Sequence, residues 1–209
     1  MSMKKKIATG ALLVAFGATA VTGATLAYFT DTDQKDNVFT VGNVNITLTE
    51  PNWDASGSVD APQAYPGEAL AKDPTVTNVG KNPCFVRIKV EGWDVLGANN
   101  KITYKTDYVA NKLGDNWQLH EDGYFYHTAI LYPQTDEYKD KLHETDALFD
   151  QIVVPTTVTN GFDGSYDIVV KAEAVQAQGA KPSFSAVETM TVSEIAAWFT
   201  TCGMDNAQA

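Results

Sequence analysis
Cys84-Phe85-Val86-Arg87-Ile88-Lys89-Val90-Glu91 is the stretch that sets the class of this fold. Cys84, Val86, Ile88 and Val90 fall on one side of an extended segment, and Phe85, Arg87, Lys89 and Glu91 on the other. Side chains alternate across a strand with a period of two, so this reads as a half-buried strand with Cys84 on its inward face. The same alternation recurs downstream, where Tyr166, Ile168, Val170, Ala172 and Ala174 interleave with Asp167, Lys171 and Glu173. Upstream, Val44, Ile46 and Leu48 interleave with Asn43, Asn45, Thr47 and Thr49. Shorter candidates are Thr75 to Val79, Ile102 to Lys105, Trp117 to Leu119, Gly123 to Leu131 and Leu148 to Val154. Turn clusters separate them: Tyr65-Pro66-Gly67, Asn82-Pro83, Gly97 to Asn100, Glu121-Asp122-Gly123 and Asn160 to Ser165. Many short strands with frequent turns predict a mainly β chain, an antiparallel β-sandwich or jelly roll.

Helical signals are few. Val192, Ile195, Ala196 and Phe199 recur at helical spacing, Thr191 with Glu194 makes a capping box, and Gly203 follows the last turn. Asp136 to Glu144 reads as a short charged helix or a loop, and Asp54 to Pro66 as a Ser/Gly/Pro-rich loop with little core potential. The tail from Met204 to Ala209 is expected to fray.

The N-terminus reads as a targeting segment. Lys4, Lys5 and Lys6 precede an uncharged apolar run from Ile7 to Ala27 that ends in small residues, the pattern of a secretory signal. Cleavage is expected between Ala27 and Tyr28; the alternative is an uncleaved anchor, since the run is long enough to span a bilayer. This divides the chain into a signal peptide (1–27), an N-terminal segment (28–43), a β-sandwich domain (44–203) and a tail (204–209). No second apolar run follows, so the mature form carries no membrane span. Residues 1–27 hold three lysines and no acid, which leaves 12 basic and 26 acidic residues, a formal charge of −14. That balance excludes nucleic acid as a natural partner and keeps separate copies mutually repelling. The even cysteine count and an exported destination allow a Cys84–Cys202 disulfide, worth about 2–4 kcal/mol. The alternative is a free Cys84 packed as a small apolar group.

Several segments resemble the TasA/camelysin family of proteins secreted by Gram-positive bacteria. They are Met3-Lys4-Lys5-Lys6 before the apolar run, Ala24-Thr25-Leu26-Ala27-Tyr28-Phe29-Thr30-Asp31, Lys35-Asp36-Asn37-Val38-Phe39 and Gly42-Asn43-Val44-Asn45-Ile46. Asn82-Pro83-Cys84-Phe85-Val86-Arg87 and Ala172-Glu173-Ala174-Val175-Gln176-Ala177 are similar to segments of the same group. The resemblance implies processing by the signal peptidase SipW, a jelly-roll-like domain, and an extracellular role in biofilm-matrix fibres, with other matrix proteins as further partners. It also implies assembly in which the N-terminal segment of one subunit completes the sheet of the next. Independently, Phe29, Val38, Phe39 and Val41 would lie near a free N-terminus after cleavage, and such a segment can pair with an exposed sheet edge. It can equally fold back as the first strand of its own sheet.

Because camelysin-type members are described as metallopeptidases, the histidines bear on function. His120, His127 and His143 are the only ones, and none lies in an H-E-x-x-H pattern. His127 should face the same side of its strand as Phe125 and Ala129. Zinc sites need convergent ligands, which this spacing does not supply, so no cofactor is called for and no catalytic residue is assigned. There is no G-x-S-x-G elbow, and Asp31-Thr32-Asp33 lacks the glycine and closing glutamate of a calcium loop. Trp93, Trp117, Tyr104, Tyr124, Phe125 and Tyr126 would serve either as a glycan-binding platform or as sandwich core. The expected function is therefore a self-assembling matrix protein, with a surface metallopeptidase and a glycan-binding module as alternatives.

Overall fold
The computed structural model describes residues 44–92, 102–105, 113–158 and 167–204. Ala27, Tyr28, Phe29, Val38, Phe39, Val41 and Trp93 lie outside the described residues. Among the described residues nine antiparallel strands form three sheets, so the chain is mainly β, as its alternation predicts. The largest sheet runs β6 (Trp117–Leu119), β7 (Phe125–His127), β4 (Cys84–Glu91), β9 (Val169–Gln176). A second runs β2 (Ala69–Ala71), β8 (Gln151–Val153), β5 (Thr103–Lys105), and a third pairs β1 (Ile46–Thr49) with β3 (Thr75–Asn78). β4 and β9 pair along their full length, from Cys84 opposite Gln176 to Glu91 opposite Val169.

One face of the largest sheet turns Cys84, Val86, Ile88, Val90, Phe125, Val170, Ala172 and Ala174 into a core shared with Ile46, Leu70, Val76 and Ile152 of the smaller sheets and with Phe149 just before β8. This is the sandwich interior. The opposite face departs from the sequence expectation. Phe85 and Arg87, assigned to a polar outer side, are fully buried. A second core forms there from Phe85, Tyr124, Tyr126 and Val175, under α2 (Phe184–Val187) and α3 (Val192–Thr201). The helix needed somewhere to bury Ile195, Ala196 and Phe199, and this face receives them.

α3 begins and ends as its sequence signals indicate. The Thr191 hydroxyl accepts from the Glu194 amide, the Glu194 carboxylate accepts from the Thr191 amide, and Gly203 sits at φ +80°. The Asp54 to Pro66 region is not a featureless loop. It is a helical run of a π turn (Trp53–Gly57), an α turn (Ser58–Asp60, α1) and a 3-10 turn (Ala61–Gln63). Trp53, Gly57 and Ala61 face inward, each four residues after the last. Gly57 is required there, because a Cβ would lie 2.1 Å from the Ala71 carbonyl oxygen. The stripe was hard to see because two of its three members are small. Gly123 to Leu131 is strand only at Phe125–His127, resuming as a single bridge from Leu131 to Cys84. Asp136–Tyr138 forms a 3-10 turn, and the chain then extends to bridge Glu144 to Thr77 on β3.

The Cys84–Cys202 bond is not made. Both thiols are free, Cys84 inside the sandwich core and Cys202 beside the second core on the other face of the sheet. Burial pushes the Cys84 thiol up to about 12, so it stays protonated and inert. Thiol titration of unfolded, non-reduced protein should therefore count two reactive groups; a count of zero would place a disulfide there instead.

Candidate functional site
Three clusters carry most of the chemistry among the described residues. The first surrounds Arg87 at the centre of β4. Its Nε donates to Glu173 Oε2 at 2.7 Å, Nη2 lies 2.6 Å from the same oxygen, and Nη1 donates to the Tyr126 hydroxyl at 3.1 Å. Nη2 also donates to the Met204 carbonyl at 3.2 Å, which ties down the chain just beyond α3. The guanidinium lies 3.8 Å from the Tyr124 ring centroid and 4.5 Å from that of Phe199. Burial lowers the proton affinity of Arg87, but its bonds to Tyr126 and Glu173 outweigh this and hold it above the ordinary range. Burial pushes the Tyr126 phenol up, so it stays neutral and donates to Asp122 Oδ2 at 2.7 Å. The cluster pins the C-terminal helix to the sheet. Its residue types hinted at this: Tyr126 on the neighbouring strand β7 and Tyr124 just before it supply aromatic faces, and Glu173 a matching acid.

The second cluster is Lys72, fully buried, with Nζ 2.9 Å from Glu50 Oε2 and 4.5 Å from the Trp53 ring centroid. Beside it, Asp73 Oδ1 accepts from the amides of Asn52 and Trp53 and anchors the start of the helical run. Nothing in the local sequence marked Lys72 as an interior residue.

The third cluster contains His127, on the same side of β7 as Phe125, as expected from its parity. It is fully buried against Trp117, with Nδ1 2.8 Å from the Ala129 carbonyl and Nε2 3.2 Å from Asp146 Oδ1. Burial raises the Asp146 carboxyl, but its bonds to His127 and Asn116 hold it below the ordinary carboxylate value. His120 stacks edge-on against Tyr126 with Nδ1 3.3 Å from Asp122 Oδ1, and His143 Nδ1 lies 3.0 Å from the Tyr132 carbonyl. The three histidines thus serve three different neighbourhoods. Trp117, Tyr124, Phe125 and Tyr126 are all buried, so these members of the aromatic set are core and present no sugar-binding face.

The sequence model of the camelysin metallo-endopeptidase family matches residues 2–116. The chain belongs to that family. It is also 36% identical over 80 residues to a protein of Bacillus subtilis (strain 168) described as a major biofilm matrix component. That alignment covers 38% of the chain and 29% of the relative, so the chain spans less than a third of the relative it matches. No solved structure matches at a significant level.

The camelysin family name implies a metal, and the described residues do not gather a ligand set for one. The matched segment 2–116 contains no histidine. Within it, Cys84 is a buried thiol rather than a thiolate, and outside it both ring nitrogens of His127 face oxygen partners. Among the described residues no three His, Cys, Asp or Glu side chains converge as a metal cluster. A zinc centre needs three or four such ligands with open lone pairs.

Proposed function
We propose that this camelysin-family chain is a secreted structural protein of a biofilm matrix, assembling head to tail by strand addition of its N-terminal segment, and not a peptidase. The observation that carries the reading is its 36% identity to a matrix component. The dispersed histidines and the closed Arg87 cluster support it, since neither offers an open reactive centre. No described helix is long and apolar enough to cross a membrane. Processing between Ala27 and Tyr28 by the signal peptidase SipW would release Phe29, Val38, Phe39 and Val41 as the pairing segment. Main-chain hydrogen bonds then supply affinity, and alternate apolar side chains fill gaps between sheets. A head-to-tail contact need not close, so it propagates as a fibre, with other matrix proteins free to join it.

Charge sets the conditions. A formal −14 per mature copy opposes association at neutral pH and low salt. Assembly of protein beginning at Tyr28 should accelerate as salt rises or as pH falls toward 4.6, the pI of the full chain, and further as it falls below, since loss of three lysines lowers the pI of the mature form. The fold keeps its His127–Asp146 pair over that range. The depressed Asp146 carboxyl contributes stability above its ordinary 3.8, lost only as pH falls through its still lower folded value. Light scattering and electron microscopy test the reading, with mass spectrometry fixing the N-terminus. Fibres from residues 28–209 and none from residues 42–209 are expected. Persistent monomers at pH 4.6 and high salt, or equal polymerisation of the shortened form, would sink it.

A further inference from the structure
His127 sits where two other segments of the chain close on the end of β7. Its ring is fully buried and edge-on to Trp117 of β6, with centroids 5.0 Å apart. Nδ1 lies 2.8 Å from the Ala129 carbonyl oxygen, and Nε2 lies 3.2 Å from Asp146 Oδ1. A carbonyl oxygen only accepts, and so does an ionised carboxylate. Asp146 is held below the ordinary carboxylate value, so at neutral pH it is ionised. A neutral imidazole carries one N–H and can donate to only one of these oxygens, whereas the imidazolium carries two and donates to both. The two contacts made by His127 are therefore those of the protonated ring.

Asp146 is the charged group that the ring meets. Its Oδ2 is buried without a hydrogen-bond partner, and Asn116 Nδ2, 3.4 Å from Oδ1, brings no charge. Nearby in the chain, Asp115 and Glu144 are both exposed. Arg87 with Glu173, and His120 with Asp122, lie on the other face of the sheet around Tyr126. Three further bonds surround the ion pair. Trp117 Nε1 donates to the Asp146 carbonyl at 2.9 Å, the Gly114 amide to the Leu148 carbonyl at 3.1 Å, and the Thr128 amide to the Asn116 carbonyl at 2.8 Å. Gly114 lets the segments meet, since a Cβ there would lie 2.1 Å from Asp146 Oδ2. Asp146 to Leu148 leads into β8 of the second sheet, whereas β6 and β7 belong to the largest. The ion pair thus fastens the β6–β7 end of one sheet to the chain entering the other.

We infer that His127 is a proton-dependent latch between the two sheets, closed as an imidazolium on Asp146 and Ala129 and loosened when the ring gives up a proton. The inference concerns a single copy and is independent of how copies assemble. Loss of the proton sets a bare ring nitrogen against an oxygen and leaves the Asp146 carboxylate without its cation. An unpaired buried charge is costly, so the segment from Thr145 to Leu148 gains by moving toward water. The closed form holds a proton that the loosened form sheds, so closure weakens as pH rises.

Nitrogen NMR of the His127 ring in monomeric protein 28–209, followed from about pH 5 to about pH 9 alongside hydrogen exchange, tests the latch. At the acid end both ring nitrogens should carry protons. As the ring loses one, the Gly114 amide and the Trp117 indole N–H should exchange about tenfold faster or more, beyond the intrinsic change with pH, which is the worth of one charge-assisted bond. The amides of Cys84 and Ala177, bonded to Leu131 and Pro83, should show no such step. Asp146→Asn keeps the shape and can donate an N–H to a neutral Nε2, so its latch should stay closed and the step should vanish. His127→Gln does not titrate and should remove the step as well. If neither variant folds, the parent's ring titration and exchange decide. A singly protonated ring at the acid end overturns the inference, and so does a ring that keeps both protons to the alkaline end. Titration of the ring with unchanged exchange at Gly114 and Trp117, or a step that persists in Asp146→Asn, overturns it equally.

Discussion

Arg87→Ala should destabilise the domain by about 3–5 kcal/mol, the usual cost of removing one partner from a buried ion pair. Arg87 is 1% exposed and Glu173 is 20% exposed in side chain, so the remaining carboxylate would keep only limited hydration. The Tyr126 hydroxyl would lose a donor, and Tyr124 and Phe199 would face a cavity where the guanidinium lay. The Met204 carbonyl would lose its bond, loosening the end of α3. Arg87→Met restores much of the volume and should recover part of the loss, leaving the deficit from the unpaired Glu173. Urea unfolding of the monomer measures both variants. A loss below about 1 kcal/mol for Arg87→Ala would place the cluster among ordinary surface pairs and refute its role as a clamp.

Phe199→Ala comes next, with an expected loss of about 3–5 kcal/mol for a buried aromatic truncated to alanine. The ring is fully buried, 5.6 Å edge-on from Tyr126 and 4.5 Å from the Arg87 guanidinium. Its removal takes a fully buried anchor out of α3, so far-ultraviolet circular dichroism should report lost helix before the sheet unfolds. The two sites touch, so their effects should not add. The double variant should fall short of the summed losses by about 0.5–3 kcal/mol. Strict additivity would mean that helix docking and the Arg87 cluster are independent, contrary to the geometry.

Local pattern was enough for the β class, the parity of Cys84 and His127, and both ends of α3. Each rests on physics that acts within a few residues: strand alternation, a cap satisfied three positions away, a glycine tolerating positive φ at 203. The candidate site was legible only in part. The scattering of the histidines and the absence of a zinc motif are plain in the chain, whereas the closed environment of His127 depends on Asp146, brought up from another loop. Tertiary structure alone decided that β4 is buried on both faces. Arg87 reads as a solvent-facing residue until Glu173, 86 positions later, and the aromatic rings of β7 and α3 surround it. Lys72 is interior for the same reason, held by Glu50 and Trp53 from 22 and 19 residues upstream. Which amides of β9 face β4 is likewise a product of register, since it depends on the partner strand and not on the residues that carry them. Hydrophobic patterning states which side chains must leave water; only the packed chain determines which buried charges find partners, because a charge removed from water is tolerable only where a distant opposite charge meets it.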